Sequence, residues 1–283
     1  MIPYGLSPFT AQALIPEQVP AYVEAISCSK ALVCSSCIAY ENASGLTLIG
    51  YPLHDPLDAK AVDEAVDAAC HLPMLTKGGR LTVLSAARPR LAPKDATCAE
   101  DNWWGLSLPP APAPLRTRQK LRHALRRAEQ TLSVEQTGGS FDDVHQKLVE
   151  EQIRSRPLSP GTRLLYGRLP QYLAASPHAV LFSAYNRENG KLAACAIGEY
   201  ASLNTAFYQF AFRAPTAPFG AADLLLSFLL REAQARGHAR CNLGLGISSG
   251  IRFFKEKWQA KIFLPYQEYS WTPHPKTWRN FWA

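Results

Sequence analysis

The sequence of 283 residues is poor in charge, because Asp, Glu, Lys and Arg together make up only 19% of it. It contains no apolar run near the ~20 residues that a membrane-spanning helix needs. The first twenty residues hold several prolines and no basic segment ahead of an apolar stretch, so they do not resemble a signal peptide. These absences predict a soluble cytoplasmic protein.

The cysteines do not form a recognisable framework. There are seven, with scattered spacing, which does not fit a disulfide-stapled secreted domain. Cys34 and Cys37 make one CxxC pair, and a zinc site of this kind would need a second pair that the sequence lacks. The pair falls in an apolar run that predicts one strand. Residues three apart on a strand point to opposite faces, so we expect two half-buried thiols that do not converge.

Several catalytic signatures are also missing, namely GxSxG, the P-loop, HExxH and GxGxxG. Gly244 and Gly246 form a GxG without the third glycine, so a Rossmann site is not predicted. The histidines are separated in sequence from any Ser, Cys or Asp pattern, and no nucleophilic triad is expected. No metal site is predicted either. The histidines considered are His123, His145, His178 and His238.

Positive charge is in excess, with a formal net charge of +7 and a pI near 9.1. This suits an anionic partner such as a nucleotide phosphate, RNA or an anionic lipid surface, and it equally suits a basic soluble protein without such a partner. Four prolines fall within residues 109–114, a run that cannot form a helix or a central strand. We therefore predict an N-terminal unit of residues 1–112 and a C-terminal unit of residues 113–283.

A basic amphipathic helix is predicted at residues 115–130, directly after the proline run. Its apolar stripe consists of Leu121, Leu125, Ala128 and Leu132. Its cations are Arg116, Arg118, Lys120, Arg122, Arg126 and Arg127. Glu129 is the nearby carboxylate, so most of these cations lack i,i+4 partners, which favours an anion-binding face over an ordinary solvated one. We expect Arg122, Arg126 and Arg127 to bind an anionic substrate.

The hydrophobic pattern predicts an α+β (α/β) fold. Before the proline run it indicates a hairpin, a helix over 58–72 and two further strands. After the run, three strand-like segments over 179–213 predict an antiparallel meander. An apolar helix over 223–236, a buried strand, a short basic helix and a final strand follow. We expect two lobes, each a mixed and mostly antiparallel sheet flanked by helices.

The loop before the apolar helix, residues 217–222 with the sequence APFGAA, resembles the phosphate loop of the GNAT superfamily of acyltransferases. That loop has the form Q/R-x-x-G-x-G/A, and Gly220 and Ala222 match it, whereas Ala217 replaces the usual Gln or Arg. The resemblance implies that backbone N–H groups at the helix N-terminus bind the diphosphate of acyl-CoA. The implied cofactor contacts are Arg213, Phe219, Gly220, Ala221 and Ala222.

The segment from Gly244 to Trp258, with the run GIRFFKEKW, resembles a narrower group, the tandem GNAT-like proteins that include the Fem peptidyl transferases. The similarity extends over about residues 115–270. It implies that Lys255 lies near the donor or the reaction centre, where an ammonium stabilises negative charge. The alternative is a surface lysine on a basic helix.

Two further site residues follow from the superfamily resemblance. A carboxylate near Glu199 is the general base in many GNAT enzymes, often through a water. The alternative for Glu199 is a solvated charge at the end of a strand. Tyr208, on the next strand, is a candidate general acid, with packing in the core as its alternative role.

Three functions remain open from the sequence. The first is transfer of an acyl group from acyl-CoA, or a similar thioester, to a small-molecule or peptidyl amine. The second, which the Fem resemblance implies, is aminoacyl transfer from aminoacyl-tRNA. The third is a non-catalytic binding module on the same fold. The aromatic segment WTPHPKTWRNFWA, residues 271–283, is expected to dock on the first unit or to contact a membrane or partner.

Overall fold

The computed structural model describes residues 6–115 and 117–273. The helices and strands before the proline run are α1 (Ser7–Ala11), α2 (Pro20–Ser27), β1 (Lys30–Cys34), β2 (Cys37–Asn42), β3 (Gly45–Gly50), α3 (Ala59–Cys70), α4 (Pro73–Thr76), β4 (Arg80–Ser85) and β5 (Thr97–Ser107). A 3₁₀ turn at Pro16–Gln18 precedes α2.

After the proline run come α5 (Gln119–Thr131), β6 (Leu132–Gly138), α6 (Asp143–Ser155), α7 (Pro160–Gly167), α8 (Leu169–Ala175), β7 (Ala179–Asn186), β8 (Leu192–Glu199), β9 (Thr205–Arg213), α9 (Ala221–Ala235), β10 (Arg240–Leu245), α10 (Ser249–Lys257) and β11 (Lys261–Trp271). The predicted basic helix, meander, apolar helix and final strands are all present.

The eleven strands form one sheet in the order β1-β2-β3-β4-β11-β5-β10-β9-β8-β7-β6. The β3–β4 and β9–β10 pairs are parallel, and the remaining pairs are antiparallel. The predicted mixed, mostly antiparallel α+β fold is therefore confirmed. The sheets of the two halves are joined edge to edge, which the sequence pattern did not indicate.

Strand β11 accounts for this junction. It comes last in the described chain, yet it lies between β4 and β5, both of which precede the proline run. Strand β5 in turn pairs with β10. The sheet hydrogen bonds thus cross the boundary that we place at residues 112 and 113, and the division into two units stays a prediction.

The two parallel pairs differ in how far they extend. Strands β3 and β4 are in register over six pairs, from Gly45–Arg80 to Gly50–Ser85. Strands β9 and β10 are in register over only three pairs. In both cases a helical segment connects the parallel strands, α3 and α4 in the first half and α9 in the second. Of these two parallel pairs, only β9 and β10 stop pairing before both strands end, which leaves a space between them.

Helices cover both faces of the second half of the sheet. Helix α9 buries a continuous leucine set against one face, together with the predicted apolar stripe of α5. Helices α2, α6 and α8 pack on the opposite face around Tyr172 and Phe207. Because both faces are covered, the strands are apolar on both sides, as the sequence of β7 and β8 shows.

The CxxC segment does not form the single strand predicted. Ser35 takes a positive φ of 54°, and the chain reverses there to make the β1–β2 hairpin. Cys34 and Cys37 are consequently cross-strand partners, and the prediction that they do not converge is wrong. Both thiols are buried and free, and burial raises the pKa of Cys34 to about 11 and that of Cys37 to about 12.

Several elements were not predicted, among them β6 and α7. Strand β6 is a polar edge strand that pairs only with β7, so it lacks the apolar alternation of a buried strand. Helix α7 buries no residue completely. Arg116 and residues 274–283 of the aromatic segment lie outside the described residues. No helix within the described ranges combines the length and the apolar character needed to cross a bilayer.

Candidate functional site

An opening between β9 and β10 is the central feature of the second half. The two strands pair at Thr205–Arg240, Ala206–Cys241 and Phe207–Asn242, and the pairing ends there. Strand β9 nevertheless continues to Arg213 and β10 to Leu245. Beyond Phe207 the edge of β9 that faces β10 therefore has no strand partner among the described residues. We call this opening the β9–β10 gap.

Backbone irregularities on both sides produce the gap. Gly244 has a φ of 79°, a left-handed conformation that strongly favours glycine, and its N–H donates to Asn242 Oδ1 at 2.7 Å. The Asn242 amide donates in turn to the Leu14 carbonyl at 2.8 Å. On β9, the register with β8 shifts between Tyr208 and Phe210, which makes Gln209 the extra residue of a bulge.

Lys255 closes one end of the gap from α10. The residue is 3% exposed, and its Nζ donates to the Gly244 carbonyl at 2.7 Å and to the Leu245 carbonyl at 2.5 Å. Burial lowers the pKa of Lys255 to about 7, and the charge of Asp101 opposes that effect. It is therefore not the surface lysine of the alternative interpretation. Either the ammonium or the neutral amine can donate these two hydrogen bonds.

The predicted phosphate loop lies at the N-terminus of α9. Gly220 is the N-cap residue with a φ of 89°, and a Cβ there would lie 3.2 Å from the Ala124 carbonyl oxygen on α5. The Ala221 N–H donates to the Pro218 carbonyl. The N–H groups of Ala222 and Asp223 have no acceptor within the described part of the chain, so they are available to an anion.

Asp223, in the first turn of α9, was not recognised from the sequence. Its carboxylate accepts from Trp258 Nε1 at 2.9 Å and from Lys257 Nζ at 2.7 Å. These bonds fix the end of α10 against the start of α9. They also offset the negative charge of Asp223, which would otherwise oppose an anion at the helix N-terminus.

Tyr208 lies on the α9 side of the sheet, at the start of the gap. Its ring stacks on Phe254 of α10, with centroids 6.4 Å apart. Burial raises the pKa of Tyr208 and the charge of Asp223 adds to the effect, so the hydroxyl stays protonated at neutral pH. Both predicted roles, packing and proton donation, are compatible with this position.

Glu199 lies on β8 opposite Phe207, the last residue of β9 that pairs with β10, and is completely buried. One carboxylate oxygen accepts from the Tyr172 hydroxyl at 2.8 Å and the Ser176 hydroxyl at 2.7 Å. The other accepts from the N–H groups of Tyr200 and Ala201. The charge is therefore not at a solvated strand end, and four donors already satisfy the carboxylate. These four bonds hold the carboxylate in place, and the role of Glu199 as general base stays a prediction.

The remaining predicted contacts lie at the surface. Arg213 is exposed at the end of β9, and Phe219 is 76% exposed in the loop before α9. Arg122 and Arg126 line a groove of about 410 Å³ between α5, α9 and the proline run. Arg231 and Gln234 of α9 line the same groove. Arg127 is exposed on α5 but does not line it.

A Ser–His–Asp contact occurs elsewhere in the fold, although the sequence predicted no triad. His145 Nε2 lies 2.7 Å from Ser183 Oγ, and its Nδ1 contacts Asp142 Oδ1. His145 and Ser183 are both buried, and Asp142 is the N-cap of α6. The group therefore ties α6 to β7 and offers no accessible nucleophile.

The gap and the α9 N-terminus fit a ligand of the acyl-CoA type. The free N–H groups suit a diphosphate, and the unpaired strand edges suit the amide groups of a pantetheine arm. Ala217, where a polar side chain is usual, has a methyl side chain that makes no hydrogen bond, and its backbone N–H donates to the Ala214 carbonyl at 3.0 Å. Within the described residues no cluster of three or more metal-ligating side chains occurs.

Comparison with known proteins agrees with this geometry. Residues 116–256 match the family model of the acetyltransferase (GNAT) domain. No protein with a curated description matches the sequence. FemX superposes with a TM-score of 0.64 and 9% identity over 96% of this chain and 96% of its own.

Two further solved structures superpose over nearly the whole chain. One is the C-terminal domain of a putative lysylphosphatidylglycerol synthetase from Agrobacterium fabrum, with a TM-score of 0.62 and 16% identity over 94% of this chain and 92% of its own. The other is L-PGS from Bacillus licheniformis, with a TM-score of 0.59 and 14% identity over 90% and 91%. At these identities the likeness is one of fold. The family match identifies residues 116–256 as a GNAT domain, and the superpositions show that the chain as a whole shares the fold of these structures.

Proposed function

We propose that the protein transfers an acyl group from acyl-CoA to an amine, and that the reaction takes place in the β9–β10 gap. The observation that carries this proposal is the early end of the β9–β10 pairing after Phe207–Asn242. The equivalent pair β3–β4 stays closed over six residue pairs, so the first half offers no such opening. The reaction is therefore assigned to the second half.

The donor would bind from the α9 side. Its diphosphate would accept hydrogen bonds from the N–H groups of Ala222 and Asp223, with the positive end of the α9 dipole behind them. Gly220 allows close approach because its φ of 89° is strongly disfavoured for residues that carry a Cβ. Phe219 and Arg213, both exposed, would contact the nucleotide from outside the loop.

The pantetheine arm would lie along the free edge of β9, where Tyr208 and Phe254 form one wall. Lys255 would act as a positioning residue, since its hydrogen bonds to the carbonyls of Gly244 and Leu245 hold the end of β10 in place. The Tyr208 hydroxyl, protonated at neutral pH, would donate a proton to the departing thiolate. Catalysis in this arrangement comes mainly from holding the two reactants together.

Isothermal titration calorimetry with CoA and acetyl-CoA tests the proposal. We expect saturable binding of both. We also expect that adenosine 3′,5′-bisphosphate, which lacks the diphosphate and the pantetheine arm, binds more weakly. Absence of heat with either CoA species at millimolar concentration would overturn the acyl-CoA assignment.

A second candidate function, aminoacyl transfer from an aminoacyl-tRNA, is favoured by one observation. Arg122, Arg126 and Arg231 line the 410 Å³ groove beside the gap, and of these only Arg231 has a described carboxylate partner, Glu129 at 3.8 Å. Cations of this kind suit a phosphate backbone. A tRNA that binds with a steep salt dependence, together with no binding of CoA, would select this function over the first.

A further inference from the structure

The groove that Arg122, Arg126 and Arg231 line continues into a second, apolar part. This part has a volume of about 300 Å³ and is lined by the end of β5 and by α9. The two parts adjoin, because three residues line both: Leu115, Thr117 and Trp258. We call the 410 Å³ part the basic groove and the 300 Å³ part the apolar groove. Their volumes are typical of small-molecule sites.

Specific hydrogen bonds hold the proline run in place as one wall of both grooves. Gln234 of α9 is 8% exposed, and its Nε2 donates to the Pro109 carbonyl at 2.9 Å and to the Ala113 carbonyl at 3.1 Å. The Arg122 guanidinium donates to the Thr117 carbonyl at 2.8 Å, which ties the end of the run to α5. The space between the run and the two helices is therefore a built feature of the fold.

Positive charge is left uncompensated in the basic groove. Arg122 and Arg126 are four residues apart on α5, so they project from the same face of the helix. Neither forms an ion pair with a carboxylate in the described part of the chain, whereas Arg231 lies 3.8 Å from Glu129. The three arginines and Glu129 give a formal charge of +2. This charge matches a phosphate monoester, which carries about −2 at neutral pH.

The apolar groove suits a hydrocarbon chain. Among the described residues that line it, none is charged. Most of its lining is hydrophobic: Leu106, Leu108, Leu115, Leu230 and Trp258. Burial of a chain there raises the affinity about fourfold for each CH₂ group. An RNA backbone has no apolar group for this part and would leave it empty.

Both grooves lie outside the β9–β10 gap. On α9 the lining residues extend from Ser227 to Gln234, beyond the first turn of the helix. Ser107, which lines the apolar groove, pairs with Arg240 at the start of β10, whereas the gap opens beyond Asn242. No described residue of β9 or β10 lines either groove. A ligand bound here therefore leaves the gap free.

We infer that the basic and apolar grooves together form a second binding site, and that its ligand is an anionic amphiphile, a phosphate monoester carried on one apolar chain. The phosphate accepts hydrogen bonds from the guanidinium groups of Arg122, Arg126 and Arg231. The chain lies against Trp258 in the apolar groove. The site does not depend on the proposed acyl transfer, because neither reactant of that reaction occupies it.

Isothermal titration with alkyl phosphates of increasing length tests the site on the intact protein. The probes are inorganic phosphate, butyl phosphate, hexyl phosphate and octyl phosphate, all below their micelle concentrations. We expect the affinity to rise about tenfold for each added pair of CH₂ groups. Equal affinity for octyl phosphate and inorganic phosphate would overturn the inference and leave the basic groove to a bare phosphate backbone such as that of RNA.

Two further probes with the same chain test the head group. Octanoate carries one negative charge and octyl glucoside carries none, so we expect octanoate to bind more weakly than octyl phosphate and octyl glucoside more weakly still. Binding of either probe as tightly as octyl phosphate would overturn the assignment of a phosphate to the three arginines.

Three variants separate the two parts of the site. Arg126→Gln should weaken octyl phosphate about tenfold and leave the gain per CH₂ group unchanged, since it removes charge-assisted hydrogen bonds. Arg127→Gln removes the same charge from an exposed position of α5 outside the groove, and in salt it should change the affinity less than about twofold. Leu115→Asn, which is near-isosteric, should reduce the gain per CH₂ group. Equal effects of the two arginine variants would overturn the inference.

Saturating CoA separates this site from the α9 N-terminus, where a phosphate group can also bind. We expect CoA to leave the affinity for octyl phosphate unchanged. Displacement of octyl phosphate by CoA would assign the amphiphile to the gap and overturn the inference. If the protein binds octyl phosphate with the expected dependence on Arg126 but does not bind CoA, the donor assignment fails and the amphiphile site is supported.

Discussion

Phe207 and Asn242 are the last pair in register between β9 and β10, and each has an irregular backbone just beyond it. Gln209 forms a bulge on the Phe207 side, and Gly244 takes a left-handed conformation on the Asn242 side. The Asn242 side chain bonds to the Gly244 N–H and to the Leu14 carbonyl, so one residue both ends the pairing and attaches the N-terminal segment. The gap is therefore built from specific bonds.

The free energy of unfolding is expected to depend on pH through the buried Lys255 side chain. Burial lowers the pKa of Lys255 from 10.5 to about 7, so between these values the unfolded chain holds a proton that the folded one lacks. The free energy of unfolding should rise with pH across that window, by at most about 5 kcal/mol. Lys255→Met should abolish this rise.

Urea unfolding at pH 7 and pH 9.5 measures the effect as the difference between wild type and variant. Lys147→Met, at an exposed position on α6, is the control and should leave the pH dependence of the wild type intact. A difference between wild type and Lys255→Met that stays constant over this range would show that Lys255 is not held in a desolvated site.

The contribution of Glu17 to the free energy of unfolding should change with pH in the direction opposite to that of Lys255. Burial raises its pKa from 4.5 to about 7, so between these values the folded protein holds a proton that the unfolded chain has released. The stability contribution is complete below pH 4.5 and declines as pH rises to 7. The phenols that face Glu17 remain neutral throughout this range: Tyr22, Tyr40, Tyr51 and Tyr266.

Glu17→Gln should accordingly gain stability relative to the wild type as pH rises from 4.5 to 8, by up to about 3 kcal/mol. Thermal or urea unfolding at the two ends of this range gives the comparison. Glu24→Gln, on the neighbouring α2, is a control for general charge effects. Parallel pH profiles for wild type and Glu17→Gln would contradict a buried, ligand-free carboxylate at this position.

A separate prediction concerns the basic groove that Arg122, Arg126 and Arg231 line. If it binds RNA, Arg122→Ala, Arg126→Ala and Arg231→Ala combined should weaken tRNA binding and reduce the slope of log K against log salt by about one for each phosphate that is no longer neutralised. Filter binding or fluorescence anisotropy at several salt concentrations gives the slope. A triple variant of exposed cations in the first half provides the matched control: Lys77→Ala, Arg80→Ala and Lys94→Ala.

The two triple variants remove the same total charge, so they separate local from overall electrostatics. An equal weakening of tRNA binding in both would show that the groove has no special role. The same outcome would remove the support for an aminoacyl-tRNA donor.

Much of the fold of the second half was predictable because the sequence patterns that mark its helices, strands and turns are local. The meander β7–β9 has polar turns between apolar runs, and α9 is a long apolar helix closed by Gly237. The loop at Gly220 was found because a positive φ at a helix N-cap favours glycine strongly enough to leave a sequence signature. The cations of α5 were recognised as a candidate anion-binding face because they lack carboxylate partners at i,i+4.

The rest depends on contacts that are distant in sequence. The insertion of β11 between β4 and β5 follows from strand pairing that no local pattern encodes. The gap itself depends on register, since β10 looks the same in sequence whether it is paired over three residues or six. Asp223 and Trp258 meet across 35 positions, and Glu17 stands in a proline-rich segment without a helix or strand period.

The central claim, that the α9 N-terminus binds the diphosphate of acyl-CoA, is tested most directly at Ala222. This residue is partly exposed in the first turn of α9 and has a free N–H group. Ala222→Glu places a carboxylate at the positive end of the helix dipole, which favours folding by about 0.3–1 kcal/mol but repels a diphosphate. Ala222→Gln has the same size without the charge.

Isothermal titration of CoA into the wild type and both variants is the decisive measurement. We predict that Ala222→Glu melts no lower than the wild type yet binds CoA at least about tenfold more weakly, a loss of roughly 1.4 kcal/mol. Ala222→Gln should stay within about threefold of the wild type. Equal CoA affinity for the Glu and Gln variants would contradict diphosphate binding at this helix.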